Sequence, residues 1–274
     1  MSIQSEAQLE TILIDRLKAK GWAPVSLPTE AALWANLRSE LGAQNETTYS
    51  DAEFGKIRNH LEKGNVFDKA HTLRDRFHLT RDDGSSHYVQ FMNLEHWCRN
   101  RYQVATQIGI QGRRANRYDV TLLVNGLMLC QIELKRRGVE LKAAFDQINR
   151  YQRDSFAAAG GLFQFVQIFV ISNGVNTRYY ANNRSQSFKQ TFTWSDPDNK
   201  AMNRLEPFAD FFLGKCHLSK MIVSLRRGPS FCAEDFRLGP TLCPTIDTDP
   251  KSRSYLSPIL VAVGAGRMRR RFAL

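Results

Sequence analysis

The sequence predicts an α/β protein, an α/β/α sandwich around a central mixed sheet. Three stretches carry that prediction. Two apolar runs, Val120–Val124 and Leu127–Ile132, are separated by Asn-Gly, a strong local signal for a β-hairpin. The segment Val139–Phe156 then carries Leu141, Ala144, Phe145, Ile148 and Tyr151 at helical spacing. Val166–Ser172 follows as a continuous apolar strand. Hairpin, crossover helix and apolar strand in that order form a sheet with helical cover.

The remaining elements follow in chain order. Ser5–Lys20 reads as an amphipathic helix with Leu9, Ile12, Leu13 and Leu17 on one side, Ser5 as N-cap and Gly21 as its end. Glu30–Gly42 and Asp51–Lys63 read as two further helices, the second capped by Ser50 or Asp51. A polar turn at Arg81–Ser86 precedes a strand at His87–Met92. Asn93–Asn100 is irregular and carries Trp97, and Gln103–Ile110 alternates weakly as a strand leading into the hairpin. Beyond the apolar strand come a turn at Asn173-Gly174 and a strand at Thr177–Ala181. Asn182–Asn199 is polar, and Ala201–Leu213 reads as a closing helix. From about Ser224 the chain changes character, with clustered Pro and Arg and no sustained periodicity. We therefore expect one domain over 1–222. Residues 223–274 are expected to be a basic tail foreign to the fold, as a frameshifted or truncated gene product would carry.

Composition narrows the function classes. Hydrophobic residues make up 42% of the 274 residues, enough for a buried core. No apolar run is long enough to span a bilayer, and the acidic N-terminus lacks the basic region of a signal peptide. The five cysteines are scattered and show no Cys-x-x-Cys, which argues against structural zinc and for a reducing, cytoplasmic compartment. The six histidines show no metal-ligand spacing. The formal charge of +11 favours a polyanionic partner.

The hairpin carries its ionisable residues at one end. On its second strand Leu127, Leu129, Gln131, Glu133 and Lys135 share one face, and Met128, Cys130, Ile132 and Leu134 the other. On the first, Asp119, Thr121 and Leu123 oppose an apolar face of Tyr118, Val120, Leu122 and Val124. Matching apolar face to apolar face sets Asp119 beside Glu133 and Lys135. A plain two-residue turn pairs Val124 with Leu127 and puts Asp119 opposite Ile132, on the wrong face. The parity therefore predicts a three-residue connection or a bulge, with Gly126 in the left-handed conformation.

Two carboxylates on adjacent strands suit a hard divalent cation such as Mg²⁺, with waters and substrate phosphate completing its shell. The Leu134 carbonyl is a candidate further ligand, and Lys135 a candidate for orienting the attacking water or stabilising developing charge. Gln147 and Tyr151 lie four apart on one helical face, placed to reach a phosphate or to hold the lysine. Arg113, Arg114 and Arg117 precede this small acidic centre, Arg136 and Arg137 follow it, and Lys142, Arg150 and Arg153 lie on the next helix, which suits phosphate-backbone binding of DNA.

Asp119, Glu133-Leu134-Lys135 and Gln147-x-x-x-Tyr151 resemble the PD-(D/E)xK motifs of RecB-like nucleases. Longer blocks, RYDVTLLVNG, QIELKRRGVELKAAFDQINRYQRDSF and QIFVISNGVNTRYY, resemble the N-terminal endonuclease region of the R subunit of type I restriction-modification enzymes. The resemblance runs from about Ser5 to about Met221. It implies a restriction-endonuclease-like fold and Mg²⁺-dependent cleavage of double-stranded DNA without sequence specificity of its own. It also implies methyltransferase (M) and specificity (S) subunits as partners. It further suggests an acidic residue from the first helix near the metal, Glu10, with Glu6 as the competing choice. The full-length family is ATP-dependent, whereas no Gly-x(4)-Gly-Lys-Ser/Thr loop occurs here, so no ATP site is expected in this chain. A non-catalytic DNA-binding or assembly module is the alternative the same residues allow.

Overall fold

A computed structural model describes residues 4–111, 115–154, 156, 159–183, 186–196 and 199–224. The six-stranded mixed sheet is the frame. Its strands are β1 (Ala23–Val25), β4 (Tyr102–Gln111), β5 (Ala115–Val124), β6 (Leu127–Leu134), β7 (Ile168–Ser172) and β8 (Thr177–Ala181), in the spatial order β1-β4-β5-β6-β7-β8. β1 runs parallel to β4 and β6 parallel to β7, while the other neighbours are antiparallel. A separate ribbon pairs β2 (Arg76–Thr80) with β3 (Ser86–Gln90).

Helices cover both faces. On one lies α5 (Leu141–Asp154), whose Phe145 meets Tyr180 of β8 with ring centroids 5.1 Å apart. On the other lie α1 (Glu6–Ala19) and α6 (Leu205–Phe211), with Phe208 near the ring of Tyr179. The sheet with helices on both sides is the α/β/α sandwich, and the mixed topology is the restriction-endonuclease-like one. Helices α2 (Glu30–Gln44), α3 (Asp51–Glu62), α4 (Val66–Thr72) and α7 (Lys215–Ser224) complete the described helices. None of the described helices is long and apolar enough to cross a membrane.

Local chemistry explains the element ends. Ser5 and Gln8 form a reciprocal capping box at the start of α1, and Ser50 with Glu53 does the same for α3. Gly21 at φ 81° lets the chain turn away after α1. The apolar positions of α5 (Leu141, Ala144, Phe145, Ile148, Tyr151) are all buried.

Of the two devices that parity allowed, a three-residue connection or a bulge, the central hairpin uses the bulge. Val124 pairs with Leu127 across a two-residue turn, with Asn125 at φ 50° and Gly126 at φ 80°. Leu123 then pairs with Met128 but Leu122 with Cys130, so Leu129 is an extra residue in β6. The turn is thus the tight one, both of its residues are left-handed, and the bulge corrects the register.

Some elements differ from expectation. β1, α4, β2 and α7 were not anticipated. The closing helix starts at Leu205 rather than Ala201, because Ala201 instead bridges to Ser195. The tail expected over 223–274 lies, from residue 225 onward, outside the described residues, and α7 runs to Ser224.

Candidate active site

Every residue of β6 is buried, so its polar members Gln131 and Glu133 are placed in the core by the strand itself. Thr121 satisfies Gln131 by donating its hydroxyl to the Gln131 amide oxygen at 2.7 Å. The β5–β6 ladder closes with Val120 opposite Ile132. Just beyond, the Asp119 carboxylate accepts a hydrogen bond from the Leu134 N–H at 2.8 Å. A side chain there takes the part a backbone carbonyl plays elsewhere in the ladder.

Glu133 is fully buried and its Oε1 accepts from Lys135 Nζ at 2.9 Å. The same ammonium donates to the Leu134 carbonyl at 3.1 Å. Glu133 Oε2 has no partner among the described residues. Burial, and then the neighbouring charge of Asp119, push the Glu133 carboxyl up to about 8 against the pull of Lys135. Asp119 is raised by burial too, opposed by its bond from Leu134 and by Lys135.

These observations test the site's fit to a divalent cation. Two carboxylates, both raised by burial and one with a buried unpartnered oxygen, lie beside the Leu134 carbonyl. That is an oxygen donor set short of positive charge, and it fits Mg²⁺. Among the described residues no three His, Cys, Asp or Glu side chains gather as a metal cluster. Two carboxylates and a carbonyl would leave positions for water and phosphate, as Mg²⁺ prefers.

The first helix brings two glutamates toward this end. Glu6 Oε1 accepts from the Arg136 N–H at 3.2 Å, and Glu10 Oε2 accepts from Gln107 Nε2 at 3.2 Å. The charges of both raise Asp119, and that of Glu6 also raises Glu133. Gln107 adopts φ 54° and its amide oxygen accepts from the Arg117 guanidinium.

Gln147 and Tyr151 are joined as their spacing implies: the Gln147 amide donates to the Tyr151 hydroxyl. That hydroxyl donates in turn to the Arg117 carbonyl at 3.0 Å, two residues before Asp119. The pair thus ties α5 to β5 at the site. Burial, with the charge of Glu133 adding to it, pushes Tyr151 up to about 12. Arg117, Arg136, Arg137, Lys142, Arg150 and Arg153 are exposed, with Lys142 bonded to Asp146 at 2.6 Å and the Arg150 guanidinium 5.6 Å from the Tyr151 ring centre. Arg113 and Arg114 lie outside the described residues. Sequence reasoning missed Gln107 and Tyr180; a single glutamine on a weakly alternating strand gives no signal, and Tyr180 is treated below.

The comparisons with known proteins follow the same blocks. Residues 3–188 match the family profile described as type I restriction enzyme R protein N terminus. The chain is 40% identical over 228 residues to the type I restriction enzyme SsaAORF53P endonuclease subunit of Staphylococcus saprophyticus, covering 81% of this chain and 24% of that protein. It is 38% identical over 232 residues to the EcoprrI endonuclease subunit of Escherichia coli, covering 81% of this chain and 74% of that protein. A shorter match, 32% over 117 residues, joins it to the HindI endonuclease subunit of Haemophilus influenzae. The chain spans about a quarter of the length of the staphylococcal relatives it matches. With the profile covering most of the chain, and the sandwich and its buried acidic centre in place, the chain belongs to the family of type I restriction enzyme R protein N-terminal regions.

Proposed function

We propose that this chain is the DNA-cleavage module of a type I restriction enzyme R subunit. It hydrolyses phosphodiester bonds of double-stranded DNA with Mg²⁺ and has no sequence specificity of its own. The observation that carries the reading is the buried Asp119–Glu133 pair beside the Leu134 carbonyl, with Lys135 bonded to both Glu133 and that carbonyl. Asp119, Glu133 and Leu134 O would hold the cation. When bound, it supplies a water of lowered pKa and neutralises charge at phosphorus.

The chain's own residues do the rest. Lys135 Nζ, 14% exposed at the mouth of the site, is placed to orient the attacking water and to stabilise developing negative charge. The Leu134 N–H fixes the Asp119 carboxylate, so ligand geometry is set before DNA arrives. Gln147 and Tyr151 hold the backbone of β5 next to Asp119. Exposed Arg117, Arg136, Arg137, Lys142 and Arg150 meet the phosphate backbone, which gives affinity without reading bases. Sequence choice then belongs to partner subunits, of the methyltransferase and specificity type.

The test is nicking of supercoiled plasmid with and without Mg²⁺, by wild type, Asp119→Ala and Lys135→Ala. Mg²⁺-dependent nicking lost in both variants supports the reading. Equal activity in all three overturns it.

A further inference from the structure

Two buried oxygens on the α5 side of the sheet have no hydrogen-bond partner among the described residues: Glu133 Oε2 and the Tyr180 hydroxyl. The ladder places them on one face. Glu133 is opposite Ile171 and Ile171 opposite Arg178; Gln131 is opposite Phe169 and Phe169 opposite Tyr180. Cross-strand partners share a face, as do residues two apart on a strand. Glu133 and Tyr180 therefore both point toward α5. The Tyr180 ring is fixed between Phe145 and Phe169, at 5.1 and 5.2 Å between centroids. Its neighbour Tyr179 faces the other way, into Phe208 and Phe212.

A phenol left unpaired in a core costs stability, and an apolar ring in its place avoids that cost. After burial, the largest cause, the charges of Glu133 and Asp146 also raise the Tyr180 hydroxyl, so the carboxylate and the phenol are electrostatically close. Buried polar groups that lack protein partners are the ones a single interior water satisfies.

We propose that Tyr180 is a positioning residue for Glu133, its hydroxyl donating through one buried water to Oε2. Lys135 then holds one oxygen of the carboxylate and Tyr180 restrains the other. The carboxylate plane is fixed from both sides while a lone pair of Oε2 stays open to a cation. Partners of this kind behind a metal ligand set ligand orientation and basicity. The inference rests on the reading of Glu133 as a cation ligand.

The test is Mn²⁺ binding to the full chain without DNA, read as the loss of the free-ion paramagnetic resonance signal, for wild type and Tyr180→Phe. Phenylalanine keeps the ring between Phe145 and Phe169. The expected result is about tenfold weaker Mn²⁺ affinity in the variant with an unchanged or higher Tm. Nicking by the variant should then recover as Mn²⁺ is raised. Equal affinity in the two proteins overturns the role of Tyr180. A weaker affinity matched by a lower Tm overturns it too, since that is a structural loss. Failure of wild type itself to bind Mn²⁺ overturns the cation reading, and this inference with it.

Discussion

The Asp119 carboxylate accepts the Leu134 N–H at 2.8 Å, so one side chain both ends a ladder and lines the proposed cation site. Asparagine keeps an acceptor for that amide and loses the charge, whereas alanine loses both. We expect Asp119→Asn and Asp119→Ala to abolish nicking alike. Only alanine should cost stability, by about 1 kcal/mol for the lost hydrogen bond. Urea denaturation of the two variants beside wild type checks this, and equal stability of all three would show that the bond contributes nothing.

Lys69 gives the fold a pH dependence away from the site. It is fully buried, and its ammonium donates to the Leu61 carbonyl and, at 2.8 Å, to the Lys63 carbonyl at the end of α3. Burial lowers it from 10.5 to about 8. Between those values the unfolded chain binds a proton that the folded chain has released, so stability rises with pH across that window. Lys69→Met should lose the two bonds, at about 1–3 kcal/mol, and also lose that rise. Denaturation midpoints at pH values below, within and above the window decide it; parallel curves for the two proteins would refute the assignment.

Arg136 and Arg137 follow the acidic centre directly and are exposed. If both neutralise phosphates, the double alanine variant should weaken binding to any duplex sequence by a similar factor. The slope of log K against log salt should fall by about 2. Fluorescence anisotropy over a salt series measures it, and an unchanged slope would remove these residues from the interface.

Asn125 holds the tight turn of the hairpin. Its side chain accepts from the Arg101 N–H at 2.8 Å and donates to the Phe91 carbonyl at 2.9 Å and to Asn100 at 2.8 Å. Asn125→Gly keeps the left-handed backbone and loses these bonds; Asn125→Ala loses both. We expect a graded loss of stability, with alanine worst and exceeding about 2 kcal/mol. Thermal melts rank the three proteins, and glycine matching wild type would mean that the turn conformation alone matters.

The hairpin also shows how far the sequence could be read. Side-chain parity alone required an irregularity between Asp119 and Glu133, because a plain turn puts them on opposite faces. It could not place the extra residue, since Leu129 sits in an unbroken apolar run and nothing local marks it. α1 and α3 were legible because caps and apolar period agree. α4 and β2 were not: both are short and polar, and neither carries a sustained apolar period. Of the site, the clustered charges of Asp119, Glu133 and Lys135 were visible because they stand at the end of apolar runs. Gln107 gave no signal, because its role depends on contacts to Glu10 and Arg117. Tyr180 reads as one more aromatic until the β6–β7–β8 register sets it on the same face as Glu133.

The complete burial of β6 has a consequence for motion. Glu133 and Leu134 close a strand of eight buried residues, paired to β7 along this end and held on the β5 side by the Asp119 carboxylate. Burial of this extent is expected to put its amide protons among the slowest to exchange. On the proposed function, control over cutting is then expected at the rim, through access of DNA to Lys135 and the exposed arginines, rather than by rearranging the centre.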